Sequence, residues 1–242
     1  MPFGSFACRP YRLPRFLIVL VFSVACLAGE ARADAFDDAV AAFQAGDHAR
    51  AFRLFEPLAR SGNTLAQHNL GVMYEQGLGV TRNETTAYEW YKRAADQGNP
   101  QSTYNVGMMA IEGRGVQQDS AVGAQWVYRA AELGYPPAQH ALGYIYLDGT
   151  GVEPNPFEAV VWFTVAAESG VIDSQFNLGY LYETGTGVPP DAAAAYRWYA
   201  IAAASGDRQA AQEAARVGAA LSPEQRAAED AAVVQWRSAR GL

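Results

Sequence analysis

Cysteine is nearly absent from this chain: there are two, Cys8 and Cys26, both near the N-terminus. The remainder can therefore form no disulfide, thiol nucleophile or cysteine metal site. Lysine is scarcer still, a single Lys92, and the only histidines are His48, His68 and His140. No Gly-x-Ser-x-Gly and no His-Glu-x-x-His occurs, and the residue three before Lys92 is Glu89 rather than the serine of a Ser-x-x-Lys nucleophile. Long apolar runs are missing too, apart from residues 16–28. Those 13 residues make about 20 Å of helix against a bilayer core of roughly 30 Å, too short for a comfortable span.

That run has the layout of a leader. Arg9, Arg12 and Arg15 precede it, and Ala31-Arg32-Ala33 offers a small-x-small cleavage site before Asp34. The pattern predicts a signal peptide over residues 1–33 and a periplasmic or secreted mature chain without a transmembrane span. An uncleaved anchor and lipidation at Cys26 are the alternatives; Ser23-Val24-Ala25-Cys26 lacks the leucine that opens a lipobox. Cleavage removes both cysteines, four of the 18 basic residues and one of the 25 acidic ones, leaving a net charge of −10. A phosphate backbone repels such a chain, which argues against nucleic acid as a partner.

What the chain does have is a period. Gly71, Gly107, Gly143 and Gly179 stand 36 residues apart, each preceded by Leu or Val and each followed by a Gly-x-Gly-Val turn beginning at Gly77, Gly113, Gly149 or Gly185. Trp90, Trp126, Trp162 and Trp198 keep the same step, as do four Ala-Ala pairs from Ala94-Ala95 to Ala202-Ala203. Self-similarity at this spacing is the signature of stacked helical repeats.

Within a repeat, Ala66, Leu70, Met73 and Tyr74 recur at helical spacing and predict one helix, termed helix A. Gly71 beside that stripe admits a close neighbour, since a mid-helix glycine costs about 1 kcal/mol and needs a packing reason. Gly77 falls where the helix should end in a left-handed residue. Asn83, Asp119, Asn155 and Asp191 are suited to cap a second helix, helix B, in which Ala87, Trp90, Tyr91, Ala94 and Ala95 share one face. The repeated tryptophan is expected to be the enclosed ring of that face rather than a sugar-stacking platform.

The ends follow the period only partly. Residues 34–65 fit a helix pair joined at Gly46-Asp47 without the Gly-x-Gly-Val insert, and Ser222-Pro223-Glu224-Gln225 looks like a capping box opening a last helix toward Trp236. Such ends read as solenoid caps.

The combination Leu-Gly-x-x-Tyr, Gly-x-Gly-Val, Asp or Asn, Ala-x-x-Trp-Tyr and Ala-Ala resembles the Sel-one-like repeat, a relative of the tetratricopeptide repeat, strongly over residues 66–209. The resemblance implies an all-α, right-handed α/α superhelical solenoid of helix-turn-helix units. Its parts would be a tetratricopeptide-like pair at 34–65, repeats at 66–101, 102–137, 138–173 and 174–209, and capping helices at 210–242. It also implies a scaffold for protein assembly. A cysteine-rich branch of the family is associated with penicillin binding and β-lactamase activity, but its paired cysteines are missing here.

Helix A has a second face, and related solenoids line their concave surface with it. In this chain that face reads His68, Val72, Glu75; Tyr104, Met108, Ile111; His140, Tyr144, Leu147; Phe176, Tyr180, Glu183. An apolar and aromatic stripe of this kind predicts a groove for a protein or peptide segment, with His68, Val72, Tyr104, Met108, Ile111, His140, Tyr144, Leu147, Phe176 and Tyr180 as contact residues. The competing expectation is that curvature buries these side chains against the next helix A. His68 and His140 take the slot held elsewhere by Tyr104 and Phe176, which asks for a flat ring rather than a metal ligand. The Gly-x-Gly turns follow no strand, so a phosphate loop is disfavoured. The expected function is non-enzymatic protein binding by a periplasmic adaptor or regulator, without cofactor or metal. The alternatives are a cell-envelope enzyme or binder acting on peptidoglycan or β-lactams, and a spacer using the outer helix B surface.

Overall fold

The computed structural model describes residues 30–241, which hold twelve α-helices and no strand. The predicted leader lies outside the described residues except for 30–33, which form the start of α1 (Glu30–Gln44). The chain divides into two compact units at Tyr135 and Pro136.

The first unit comprises α1, α2 (His48–Arg60), α3 (Thr64–Gln76), α4 (Glu84–Asp96), α5 (Pro100–Glu112) and α6 (Ser120–Glu132). The second comprises α7 (Pro136–Asp148), α8 (Pro156–Glu168), α9 (Ile172–Thr184), α10 (Ala192–Ala204), α11 (Arg208–Gly218) and α12 (Pro223–Ser238). In each unit consecutive helices pack on one another in A–B pairs, an α/α solenoid. Helices α3, α5, α7 and α9 are the A helices; α4, α6, α8 and α10 are the B helices.

The turn between them is built by the residues the period singled out. Gly77, Gly113 and Gly185 are left-handed C-caps with φ near 70°, and Gly149 has φ of 75°. Asn83, Asp119, Asn155 and Asp191 each accept a backbone amide from the first turn of helix B. Their own amides donate back to helix A, to the carbonyls of Tyr74, Ala110, Tyr146 and Tyr182. Both ends of the turn are thus tied, which fixes the angle between the two helices. The second glycine of the turn has another purpose. A Cβ on Gly79 would lie 2.3 Å from the His48 carbonyl oxygen, and one on Gly115 or Gly187 would strike Glu84 or Pro156 just as closely. These three turns therefore rest on the first residue of α2, α4 and α8 respectively.

The mid-helix glycine of helix A makes room for a ring. A Cβ on Gly71, Gly143 or Gly179 would come within 2.6 Å of Tyr91, Phe163 or Tyr199, and one on Gly107 would meet Gly123 and Val127 at 2.8 Å. These contacts correct the expectation about tryptophan. The fully enclosed side chains of helix B are Tyr91, Val127, Phe163 and Tyr199, one residue after each Trp. Trp90 is buried at 9% exposure, but Trp126, Trp162 and Trp198 are half-buried. A single step along a helix turns a side chain by about 100°, so the face that holds the alanines selects the following residue as the deepest one.

The ends differ from the repeats. Asp47 caps α2 after the left-handed Gly46, and Ser222 with Gln225 forms the reciprocal capping box that opens α12. Helix α11 packs on α10 as the next helix A would, whereas α12 lies on the outer side of α10. There Trp236 stacks edge-on to Trp198, the Tyr196 hydroxyl donates to Asp230 at 2.5 Å, and Arg197 pairs with Glu229.

Candidate binding surface

The expected contact row separates into two layers. His68, Tyr104, His140 and Phe176 are buried, with exposures from 1 to 6%, and they form a floor rather than a surface. Enclosed to this degree they are not available as partner contacts, and for His68 and His140 the next A helix of the same unit closes over the ring. His68 Nδ1 lies 2.8 Å from Ser102 Oγ, and His140 Nδ1 lies 2.7 Å from Ser174 Oγ. The histidines therefore bridge successive A helices, and Phe176 packs instead in a cluster that contains Ala210, the residue at the register of Ser174. Burial alone pushes the His68 imidazole down to about 4 from 6.5, so it is neutral in the fold. Among the described residues no group of three or more His, Cys, Asp or Glu is arranged to hold a metal.

The two glutamates expected at the ends of the row are also committed internally. The enclosed Tyr91 hydroxyl donates to Glu75 at 2.8 Å, and Tyr199 donates to Glu183 at 3.1 Å. Each carboxylate in turn takes an arginine from a following element, Arg114 on Glu75 at 2.5 Å and Arg216 on Glu183 at 2.6 Å. Burial first, then the adjoining carboxylate, drives both tyrosine hydroxyls well above their ordinary range. In the two middle repeats the same pair of positions is Val127 with Ile111 and Phe163 with Leu147. A tyrosine on helix B thus comes with a glutamate on helix A, and an apolar residue comes with an apolar one.

What remains partly open on helix A is the second layer. In the first unit it consists of Val72, Met108 and Ile111, all half-buried, with Val72 resting on the Tyr91 cluster. In the second unit it consists of Tyr144, Leu147 and Tyr180, resting on the Phe163 and Leu181 cluster. The Tyr144 hydroxyl accepts from Asn177 Nδ2 at 3.0 Å, and its ring meets Phe163 edge-on at 5.2 Å. Six of the ten predicted contact residues therefore keep some access to solvent. They occupy two registers of the repeat, 72/108/144/180 and 111/147, above that floor. The bridging serines, Ser102 and Ser174, were missed as sequence signals, although each lies 34 residues after a histidine.

These features define a tandem α/α repeat protein whose glycines and caps fix helix angles and whose side-chain variation is carried on the helix faces. The chain belongs to the Sel1 repeat family: the profile of that repeat matches residues 43–63, 64–99, 100–135, 136–171 and 172–207. Among solved structures it is similar to c5321, a protective antigen of uropathogenic Escherichia coli with the SLR fold. The identity is 33%, the TM-score 0.76, and the match covers 89% of this chain and 47% of that one. This chain thus spans about half the length of the antigen. It is also similar to a Sel1 repeat protein from Oxalobacter formigenes, at 30% identity and TM-score 0.68, over 72% of this chain and 71% of that one. No curated protein matches it in sequence. Sel1 repeat proteins generally mediate protein–protein interaction, and the family is typically a non-enzymatic scaffold.

Proposed function

We propose that this protein is a non-enzymatic adaptor or regulator that binds protein segments through the open A-helix layer of each unit. The observation carrying this reading is that Val72, Met108 and Ile111 in one unit, and Tyr144, Leu147 and Tyr180 in the other, are apolar or aromatic yet partly exposed at two repeated registers one turn apart. Partly open side chains of this kind on a rigid scaffold favour association, because covering them removes apolar area from water at about 25 cal/mol per Å² without a folding cost. The buried floor of His68, Tyr104, His140 and Phe176 supports the contact layer from below and takes no part in the contact itself.

The leader-like residues 1–33 support an exported, periplasmic or secreted location for this adaptor. A fusion of the first 35 residues to alkaline phosphatase, which is active only outside the cytoplasm, tests that part. For binding, partners are captured on the immobilised protein from a periplasmic extract and identified by mass spectrometry. Met108→Glu together with Tyr180→Glu should abolish retention of the captured partner while the melting temperature stays within a few degrees. Undiminished capture by that variant would show that the A-helix layer is not the binding surface.

A further inference from the structure

The outer side of α8 departs from its counterparts in a way that the A-helix reading does not explain. Phe157, Val161 and Val165 follow one another at four-residue steps, so they share one face of the helix. Phe157 is 61% exposed and Val161 39% exposed, with Val165 half-buried beside them. At the same register the other B helices carry Thr85, Glu89 and Arg93; Ala121, Gln125 and Arg129; and Ala193, Arg197 and Ile201. Helix α8 is the only B helix with neither lysine nor arginine. A helix that is apolar almost all round is expected in an interior, yet this one shows an apolar side to solvent.

The charge carried by α8 itself has one sign, and the nearest arginine at this register, Arg197 on α10, is paired with Glu229. No basic residue occurs between Arg129 and Arg197, whereas Glu158 and Glu168 lie on α8, with Glu153 in the turn before it and Asp148 at the end of α7. The same unit also contains an example of what such a surface receives. Helix α12, with Trp236 and Arg237 in its last turn and Arg240 just beyond its end, packs on α10, where Arg197 at the register of Val161 pairs with Glu229. Arg240 Nε there donates to the Glu168 carbonyl oxygen, at the C-terminal end of α8, at 3.2 Å. A segment ending in an aromatic residue and arginines therefore already packs on α10 and reaches the C-terminal end of α8, the helix that carries the stripe.

We propose that the outer face of α8 is a second docking site, for a basic amphipathic helix of a partner protein. Its apolar residues would cover Phe157, Val161 and Val165, and its lysines or arginines would meet Glu153, Glu158 and Glu168. A second copy of this chain fits less well, because it would bring an acidic surface against an acidic surface. The site is separate from the A-helix layer, so either can fail alone.

The probe is a fluorescent amphipathic helix of about 18 residues made of leucine and lysine, with a leucine–glutamate helix as control. The variant is Phe157→Ala with Val161→Gln, which installs the residues that the second repeat carries at those positions, Ala121 and Gln125. Both side chains are exposed, so the circular dichroism spectrum should be unchanged. The lysine helix should bind the protein, lose about tenfold in affinity against the variant, and be released at about 0.5 M salt, while the glutamate helix should not bind. Absence of binding, equal binding to protein and variant, or equal binding of both helices overturns the proposal. So does concentration-dependent self-association that the variant abolishes, since the occupant would then be a second copy.

Discussion

Acidification should weaken this fold through His68, and the size of the effect follows from its surroundings. The imidazole is 3% exposed, hydrogen-bonded to Ser102, and faces the Tyr91 ring at 5.6 Å. Its folded value of about 4 lies below the ordinary 6.5, so the unfolded chain binds a proton that the folded chain refuses. The sign is therefore fixed: stability from this group is complete above pH 6.5 and declines as the pH falls from 6.5 to about 4. The linkage relation puts the loss between pH 7 and pH 5 at about 2 kcal/mol, approaching about 3 kcal/mol in full. At this chain length 2 kcal/mol corresponds to a Tm change of about 4 to 8 °C.

The comparison protein is His68→Phe with Ser102→Ala, which copies the aromatic and alanine of Phe176 and Ala210. Urea denaturation at pH 7, 6 and 5, followed by circular dichroism, should show the parent losing about 2 kcal/mol more than the variant over that range. Parallel losses in the two proteins would refute the reasoning. An NMR titration placing the His68 imidazole near its ordinary value would refute it as well.

Two further outcomes follow from the packing. Gly143→Ala places a methyl 2.6 Å from Phe163, whose ring is held by His140 and Tyr144, so thermal denaturation should register a loss of about 1 to 3 kcal/mol; an unchanged Tm would mean that the two helices part freely. Glu183→Leu should cost more than Tyr199→Phe, because it leaves the buried tyrosine hydroxyl without its acceptor and Arg216 with Glu213 alone, and the double variant should recover about 1 kcal/mol in a mutant cycle, since Leu147 with Phe163 is the same pairing one repeat earlier.

The turn was legible because its chemistry is local. Gly77 had to be left-handed and Asn83 had to cap, and neither depends on what lies across the core. The enclosed ring was misjudged because Trp90 and Tyr91 adjoin, and only the angle at which helix A meets helix B decides between them. The expected contact row divided into a floor and an open layer for a similar reason. Residues 68 and 72 lie on one side of helix A, but the next helix A closes over His68 and leaves Val72 half-open. Helix periodicity reports a direction around an axis and carries no distance to the neighbour. The pairings of histidine with serine and of tyrosine with glutamate were nevertheless written in the sequence, as matched changes at fixed offsets between copies.

Those matched offsets mean that the copies are not interchangeable bricks. Excising residues 172–207 would keep the helix count even and the turns intact, yet it would move Ala210 into the place of Ser174 and leave the His140 imidazole facing a methyl group. The same cut would remove Glu183 and Tyr199 together and leave Arg216 with Glu213 alone. Within each unit, a chain with this arrangement tolerates the loss or gain of a repeat only where both halves of each bond travel together.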